Sequence, residues 1–184
     1  MRVVEISSVA GFCILLVLNA LRLSAPPWFI PLALLAGWVL ADLFSGLVHW
    51  ALDTCGSVRT PFVGPAFIRP FREHHAEPEA MTRHDFIEVN GASCLGCLPL
   101  LVLCFFVNGF LHALLAFTSL GILLANQCHK WAHADSLPPL VRVLQKARLV
   151  LNATEHAKHH TPPYDSHFCT ASGWLNRPLN WLLK

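Results

Sequence analysis

Long apolar segments alternate with polar segments along this chain, and the alternation predicts four membrane-spanning helices. At 1.5 Å per residue, a helix needs about 20 apolar residues to cross a hydrocarbon core of about 30 Å. The uncharged stretch from Gly91 to Cys128 is long enough for two crossings, with a turn at Asn108–Gly109. The expected spans are residues 6–24, 28–52, 91–107 and 110–131.

The segments between and after these spans are polar. A loop at residues 53–90 and a tail at residues 134–184 carry most of the charged side chains. Within the tail, Leu140 to Leu151 mixes Arg142, Lys146 and Arg148 with Leu, Val and Ala, which indicates an amphipathic helix lying in the membrane interface. The first apolar segment also has the length of a signal peptide, but Ser24-Ala25 is a poor cleavage site, so we favour a helix.

Composition supports a membrane protein. Hydrophobic residues make up 54% of the 184 residues and charged residues 13%, and the mean hydropathy is +0.50. These values lie well to the apolar side of an ordinary soluble domain. The net charge of +2 gives no indication of nucleic acid binding. We therefore predict an all-α integral membrane protein that forms a single domain over residues 1–184.

The seven cysteines are an odd number and lie mostly in apolar segments, so we interpret them as small buried side chains and not as a disulfide framework. Cys94 and Cys97 form a CxxC pair. The pair has no second CxxC to complete a metal site and stands at the start of an uncharged segment, which makes it a weak signal for metal or redox chemistry.

Histidine is the most informative residue type, with 11 in the chain. Residues four apart on a helix lie on the same face, so clustered histidines at helical spacing can share a metal ion. One tetrahedral zinc needs four ligands, and eight clustered histidines therefore imply two metals. The eight are His49, His74, His75, His129, His133, His156, His159 and His160, with His84 as a ninth candidate. A histidine-rich dinuclear centre at a membrane surface suits iron, which activates O₂ and removes hydrogen from unactivated C–H bonds.

The second span carries a polar stripe that contains two carboxylates. Asp42, Ser45, Gly46, His49 and Asp53 follow the spacing i, i+3, i+4, i+7, i+11. A carboxylate inside a span is a functional hypothesis by default. Asp42 either forms a hydrogen bond between helices or orients a ligand imidazole, and Asp53 is a candidate for the same orienting role.

Topology places every candidate ligand on one face of the membrane. Only Arg22 of the 13 Lys and Arg residues falls on the opposite face, which leaves 13 − 1 = 12 on the histidine side. The positive-inside rule makes that side cytoplasmic, with both termini on it. His112 lies toward the far end of the fourth span and is not expected to be a ligand.

Five cations stand near the candidate ligands in the sequence. They are suited to holding a lipid phosphate, although the same charges also satisfy the positive-inside rule without any such role. The five are Arg69, Arg72, Arg83, Lys130 and Lys158.

Six motifs resemble the Kua/CarF family of lipid desaturases, and together they cover about residues 38–178. They are DLFSGLVHWALDT at 42–54, FIRPFREHH at 67–75, TRHDFIEVNG at 82–91, QCHKWAH at 127–133, HAKHH at 156–160 and GWLN at 173–176. The resemblance implies that all nine histidines named above are iron ligands. Near His167 the chain departs from the family pattern, so His167 and Tyr164 are left out of the ligand set.

The resemblance also implies an activity, which is oxidation of the 1-O-alkyl chain of an ether phospholipid to the vinyl ether of a plasmalogen. Such a reaction requires two Fe ions, O₂ and an electron donor such as cytochrome b5 or a ferredoxin-type protein. The expected membrane is the endoplasmic reticulum in a eukaryote or the inner membrane in a bacterium. A desaturase or hydroxylase of a phospholipid acyl chain is the alternative, since a plant relative in the family desaturates an acyl chain. A membrane zinc hydrolase or a metal transporter is more remote, because the chain has no His-Glu-x-x-His motif.

Overall fold

The computed structural model describes residues 2–183, which form helices and turns and, within that range, no β-strand. The helices are α1 (Arg2–Arg22), α2 (Phe29–Thr54), α3 (Arg69–Ala76), α4 (Ala80–Arg83), α5 (Phe86–Leu103), α6 (Gly109–Ala132), α7 (Pro139–Lys146), α8 (Ala153–Ala157) and α9 (Asn176–Leu182). A π-helical turn at Gly64–Ile68 precedes α3, and a 3₁₀ turn at Cys104–Phe106 extends α5.

Four of these helices are long and apolar enough to cross a membrane, which confirms the all-α membrane architecture. They are Arg2–Arg22, Phe29–Thr54, Phe86–Phe106 and Gly109–Ala132. The third begins at Phe86 and not at residue 91, because Asp85 caps it. The Asp85 carboxylate accepts the backbone N–H groups of Ile87 and Glu88, and the Glu88 carboxylate accepts the N–H of Asp85. This capping box satisfies donors that the helix start would leave open.

The amphipathic helix of the tail is shorter than the expected 140–151. Helix α7 ends at Lys146, and Arg148 adopts a left-handed backbone conformation with φ +56°. The next residues are held differently: the N–H of Leu151 donates to the carbonyl of Ala171, and the Gln145 amide donates to the carbonyl of Leu151. These bonds replace the helical pattern beyond Lys146.

The chain divides into two compact units. The first contains the residues up to Ala41 together with Asp85–Gln127, and the second contains Asp42–His84 together with the residues from Cys128 onward. In the first unit, Phe12 packs with Cys94, Cys97 and Leu101 in a fully buried core. All seven cysteines are free and five of them are buried, as expected for small apolar side chains.

A polar pair lies buried inside the first unit. The Nε2 atom of His112 is 3.1 Å from Oδ1 of Asn19, and the Asn19 amide donates to the carbonyls of Leu15 and Leu101. Asn19 is 0% exposed and His112 is 1% exposed. An unpartnered polar group in such a site costs free energy, so the bond between Oδ1 of Asn19 and Nε2 of His112 favours the contact of α1 with α6, while Nδ1 of His112 has no partner among the described residues.

We expect His112→Leu to lower the free energy of unfolding by about 1–3 kcal/mol, because Oδ1 of Asn19 is left buried without a donor. The double variant Asn19→Leu/His112→Leu removes both partners and should recover most of that loss. Denaturation of the purified protein in detergent measures both values, with metal content unchanged. A double variant no more stable than the single one would contradict this account of the pair.

Candidate metal centre

Nine side chains in the second unit form two groups of candidate metal ligands. In each group, one ligand atom from every member lies within 4.8 Å of the others. The five-histidine group consists of His74, His129, His133, His156 and His160. The mixed group consists of His49, Asp53, His75 and His159. Eight of these nine are the histidines counted from sequence, and the ninth is Asp53.

The five-histidine group is assembled by three segments. His129 and His133 stand one turn apart at the end of α6, His156 and His160 stand one turn apart in and after α8, and His74 is on α3. The Nε2 atoms of His74 and His129 are 3.0 Å apart, and those of His156 and His160 are 3.1 Å apart. Ligands of one ion at about 2.0–2.1 Å from the metal lie roughly 3–4 Å from each other, so this spacing fits a metal site.

The mixed group converges on one carboxylate oxygen. Oδ2 of Asp53 is 3.4 Å from Nε2 of His49, 3.1 Å from Nε2 of His75 and 3.4 Å from Nε2 of His159. The Asp53 side chain is only 7% exposed. The sequence predicts that Asp53 orients a ligand. The structure places it at the centre of a group of candidate ligands, one turn after His49 on α2, a position that suits an orienting carboxylate and a metal ligand alike.

Hydrogen bonds to backbone carbonyls define the ring tautomers in the mixed group. Nδ1 of His49 is 3.0 Å from the carbonyl oxygen of Phe168, and Nδ1 of His159 is 2.8 Å from that of Ser166. A carbonyl accepts only, so each Nδ1 carries the hydrogen and each Nε2 carries a lone pair. Those lone pairs face the Asp53 carboxylate, whose oxygens, like the lone pairs, can only accept hydrogen bonds.

Acceptors that face one another in a buried site need a proton or a metal ion between them. Nε2 of His75, 3.1 Å from Oδ2 of Asp53, can carry a hydrogen toward that oxygen, whereas no described residue supplies a donor to Nε2 of His49 or of His159. The five-histidine group likewise leaves Nε2 of His133 and one Nδ1 each of His156 and His160 buried without a partner. The residues present therefore fit the two metal ions that the sequence implies.

Burial keeps the histidines of the five-histidine group in the neutral form that binds metal. Loss of hydration lowers the pKa of His74 to about 2, of His133 to about 4 and of His160 to about 3. It lowers the pKa of His156 well below its ordinary value. Because all four pKa values are far below 7, these imidazoles present lone pairs at neutral pH.

The two groups are in contact with each other. The ring centroids of His49 and His129 are 5.6 Å apart, and those of His75 and His160 are 5.2 Å apart. Neighbours in the sequence contribute to different groups. His74 belongs to the five-histidine group and His75 to the mixed group, and likewise His160 belongs to the five-histidine group and His159 to the mixed group. Two ions held in these groups would be neighbours, as in a dinuclear centre.

The polar stripe on α2 binds the tail of the chain. The Asp42 carboxylate accepts backbone N–H groups of Ser172 and Gly173 at 2.7 and 3.0 Å on Oδ1, and that of Leu175 at 3.0 Å on Oδ2. A β-carbon at Gly46 would lie 2.8 Å from Sγ of Cys169, so only glycine allows this approach. Asp42 thus acts on the backbone of the tail and has no bond to an imidazole among the described residues.

Aromatic side chains cover the mixed group. Phe71 and Phe168 pack on the ring of His49 with centroid separations of 5.1 and 5.9 Å, and Phe168 also packs on His159 at 5.0 Å. Tyr164 packs on His75 at 4.9 Å. These contacts exclude water from the lone pairs and hold the rings in place.

The remaining candidates from sequence lie outside both groups. His84 is exposed, and its carbonyl accepts a hydrogen bond from Nζ of Lys130. His167 contacts Ser166, Glu155 and Asn180. Among the candidate headgroup cations, Arg72 donates to the carbonyls of Cys55 and Gly56, Arg83 pairs with Glu77, Lys158 pairs with Glu155, and Arg69 is exposed.

Sequence reasoning missed the carbonyl partners of the ligand rings. The oxygens of Phe168 and Ser166 belong to the backbone, and no residue type marks a carbonyl that will meet an imidazole. The one available signal for Asp53 as a ligand was its position four residues after His49 on the same helical face.

Comparison with known proteins places the chain among lipid desaturases. Residues 38–182 match a lipid desaturase domain. Over 188 residues the chain is 43% identical to the plasmanylethanolamine desaturase of Myxococcus xanthus, covering 97% of this chain and 67% of that protein. Over 164 residues it is 45% identical to plasmanylethanolamine desaturase 1 of Mus musculus, covering 80% of this chain and 59% of that protein.

A plant relative is also similar. Over 153 residues the chain is 38% identical to the chloroplastic fatty acid desaturase 4 of Arabidopsis thaliana, covering 79% of this chain and 46% of that protein. The chain thus spans between about half and two-thirds of the length of these relatives. No solved structure matches the chain.

We expect Asp53→Ala to reduce the metal content from about two ions per chain to about one, because three imidazoles lose the carboxylate on which they converge. Elemental analysis of the purified protein measures this, with Asp135→Ala, an exposed aspartate, as the matched control. Unchanged metal in Asp53→Ala would remove Asp53 from the ligand set. In the same assay, an ion lost from His84→Ala would support His84 as a ligand despite its position.

Proposed function

The chain belongs to the lipid desaturase family, and on that premise we propose that it forms the vinyl-ether double bond of a plasmalogen in a membrane. The substrate would be a phospholipid with a 1-O-alkyl chain and an ethanolamine headgroup. The names of the bacterial and mouse relatives support this substrate. The observation that carries the proposal is the pair of adjacent groups of candidate ligands, whose buried imidazole and carboxylate atoms fit two metal ions.

The reaction needs a cofactor, because no amino acid side chain removes hydrogen from an unactivated C–H bond. We propose two Fe ions, one in the five-histidine group and one in the mixed group. When bound, iron supplies O₂ activation and hydrogen removal. The alkyl chain loses two hydrogens, and O₂ takes these with two electrons and two protons to give two molecules of water.

The side chains of the site have separable roles in this proposal. Imidazole lone pairs bind the ions, and the Asp53 carboxylate adds a negative charge that offsets part of the charge of the ion in the mixed group. The backbone carbonyls of Phe168 and Ser166 hold the rings of His49 and His159 in the ligating tautomer. Phe71 and Phe168 keep water from the ligand nitrogens, which protects a reactive oxidant from side reactions.

A second function is supported by the plant relative. Desaturation of a phospholipid acyl chain would use the same ligand groups, and the 38% identity to a chloroplastic fatty acid desaturase favours it over hydrolysis or metal transport. The two desaturations differ in where the double bond forms, next to an ether oxygen or within an acyl chain.

The electron donor and the membrane orientation complete the proposal. Two electrons must come from outside, and we propose cytochrome b5 or a ferredoxin-type protein as the donor. We also propose that the histidine side and both termini face the cytoplasm, because 12 of the 13 Lys and Arg residues lie on that side. A multi-pass protein of this orientation would lie in the endoplasmic reticulum or in a bacterial inner membrane.

Product analysis tests the reaction. Purified protein with two irons, a 1-O-alkyl phosphatidylethanolamine, O₂ and a reductant should yield a lipid lighter by two hydrogens that releases an aldehyde in acid. An acid-stable product would indicate acyl desaturation, and a gain of one oxygen would indicate hydroxylation. Alanine at His129 or His156 should abolish turnover, because each removes a buried ligand. His167→Ala should retain much of it, because His167 lies outside both groups.

Reporter fusions test the orientation. A fluorescent protein fused at the C-terminus should be fluorescent in bacteria and alkaline phosphatase there should be inactive, because the tail is expected in the cytoplasm. A fusion within the short link after α1, at Ser24, is the matched control and should give the reverse result. Active phosphatase at the C-terminus would overturn the orientation. In a eukaryotic cell, Asn152 should stay unglycosylated for the same reason; its side chain already caps α8.

A further inference from the structure

A cleft of about 420 Å³ opens beside the five-histidine group. Three members of that group, His133, His156 and His160, form part of its wall. His156 is only 1% exposed and its Nδ1 has no partner among the described residues. Glu77, Glu79 and Arg83 supply the charged part of the wall, and alanines and one proline supply most of the rest. A ligand in this cleft would therefore lie against the candidate metal ligands.

The charged groups of the cleft are two carboxylates and one guanidinium. Nη2 of Arg83 is 3.1 Å from Oε1 of Glu77, and the two side chains are 64% and 71% exposed. A pair this exposed is weak and exchanges readily with other ions. The carboxylate of Glu79 has neither a hydrogen bond nor an ion pair within residues 2–183. The cleft thus contains one positive side chain, Arg83, and two negative ones, Glu77 and Glu79, which gives it a net charge of −1.

Arg83 is distinguished from the other cations that stand near the ligands in the sequence. Of the five, it is the one that lines the cleft. Arg72 is held by the carbonyls of the loop after α2, Lys130 by the carbonyl of His84, and Lys158 by Glu155. Arg69 is exposed but lies outside the cleft. Arg83 is the cation that lines the cleft, and the partner that it would release, Glu77, is more exposed than Glu155, the partner of Lys158.

The chemistry of the proposed reaction requires a headgroup near the metal. The first carbon to be oxidised adjoins the ether oxygen, about six covalent bonds from the phosphorus, and the second is about seven bonds away. Bonds of about 1.5 Å therefore allow no more than about 9 Å and about 10.5 Å. When the reacting carbons are at the metal, the phosphate must be within these distances. A desaturase acting in the middle of a long acyl chain has no such constraint.

We propose that this cleft is the headgroup subsite for a zwitterionic phosphoethanolamine lipid, an inference that rests on the proposed function. Arg83 binds the phosphate and in doing so releases Glu77. Glu77 and Glu79 then accept hydrogen bonds from the primary ammonium group. A trimethylated ammonium has no N–H to donate and a glycerol headgroup has no positive charge, so both are disfavoured.

Charge-neutral substitutions test the subsite. Glu77→Gln/Glu79→Gln should lower kcat/KM for 1-O-alkyl phosphatidylethanolamine on the order of tenfold, because charged hydrogen bonds to the ammonium become neutral ones. It should leave kcat/KM for 1-O-alkyl phosphatidylglycerol unchanged or higher. Arg83→Gln should lower both, because both lipids carry the phosphate. Arg59→Gln and Glu73→Gln change the same charges on exposed positions outside the cleft and should change neither value.

A binding measurement separates recognition from turnover. Without reductant the protein does not convert its substrate, so binding can be measured alone. The protein is placed in micelles that contain equal amounts of 1-O-alkyl phosphatidylethanolamine and 1-O-alkyl phosphatidylglycerol. Native mass spectrometry then gives the ratio of the two lipids that stay bound to the protein. Wild type, Arg59→Gln and Glu73→Gln should retain mainly the ethanolamine lipid, and Glu77→Gln/Glu79→Gln should lose that preference. Metal content equal to wild type verifies that each variant is folded.

The two proposals fail in different ways. If wild type converts no 1-O-alkyl lipid, the proposed function fails, while the retained-lipid ratio still reports on the subsite. If wild type makes the vinyl ether but the cleft variants keep both the wild-type preference in turnover and the wild-type ratio of retained lipids, the headgroup subsite is overturned.

Discussion

Lone pairs that face one another around Asp53 are the constraint on which the second unit depends. Three imidazole nitrogens lie within 3.4 Å of one carboxylate oxygen, and the neutral tautomers of His49 and His159 place no hydrogen between their Nε2 atoms and that oxygen. Each buried acceptor without a partner costs about 1–3 kcal/mol. Metal ions bound in the two groups would remove that cost, so the free energy of metal binding would contribute directly to the stability of this unit.

Holding the acceptors together requires contacts between distant parts of the chain. His49 bonds to the carbonyl of Phe168 across 119 residues, and Asp42 bonds to the N–H of Ser172 across 130 residues. Both lie on the stripe of α2 that also carries Gly46, whose missing side chain admits Cys169. One face of a spanning helix thus serves as the docking surface for the tail. The same contact that satisfies the buried Asp42 carboxylate positions the carbonyls that orient the ligand rings.

Sequence periodicity is sufficient for the four spans and for eight of the nine grouped ligands, because apolar length and helical spacing are local properties. It places the polar stripe of α2 on one face but leaves the role of Asp42 open, since its partners are backbone groups far along the chain. The end of α7 at Lys146 could not be predicted from the sequence either. The chain leaves the helix at Arg148, and the N–H of Leu151 donates to the carbonyl of Ala171. No local sequence pattern predicts that long-range bond. The orienting role predicted for Asp53 stays a prediction, because a carboxylate among three imidazoles is equally compatible with being a ligand or the partner of one.

Helical geometry explains why some histidines join the two groups and others do not. Residues four apart share a face, and each such pair here belongs to one group: His129 with His133, His156 with His160, and His49 with Asp53. Adjacent residues are about 100° apart on a helix, so neighbours such as His74 and His75 reach different groups. The doublets His74–His75 and His159–His160 each contribute one residue to each group, so the two groups must lie next to each other. His84 has no histidine beside it or one turn away, and the adjacent Asp85 caps α5. The helical spacing that brings the other eight histidines together is therefore absent at His84.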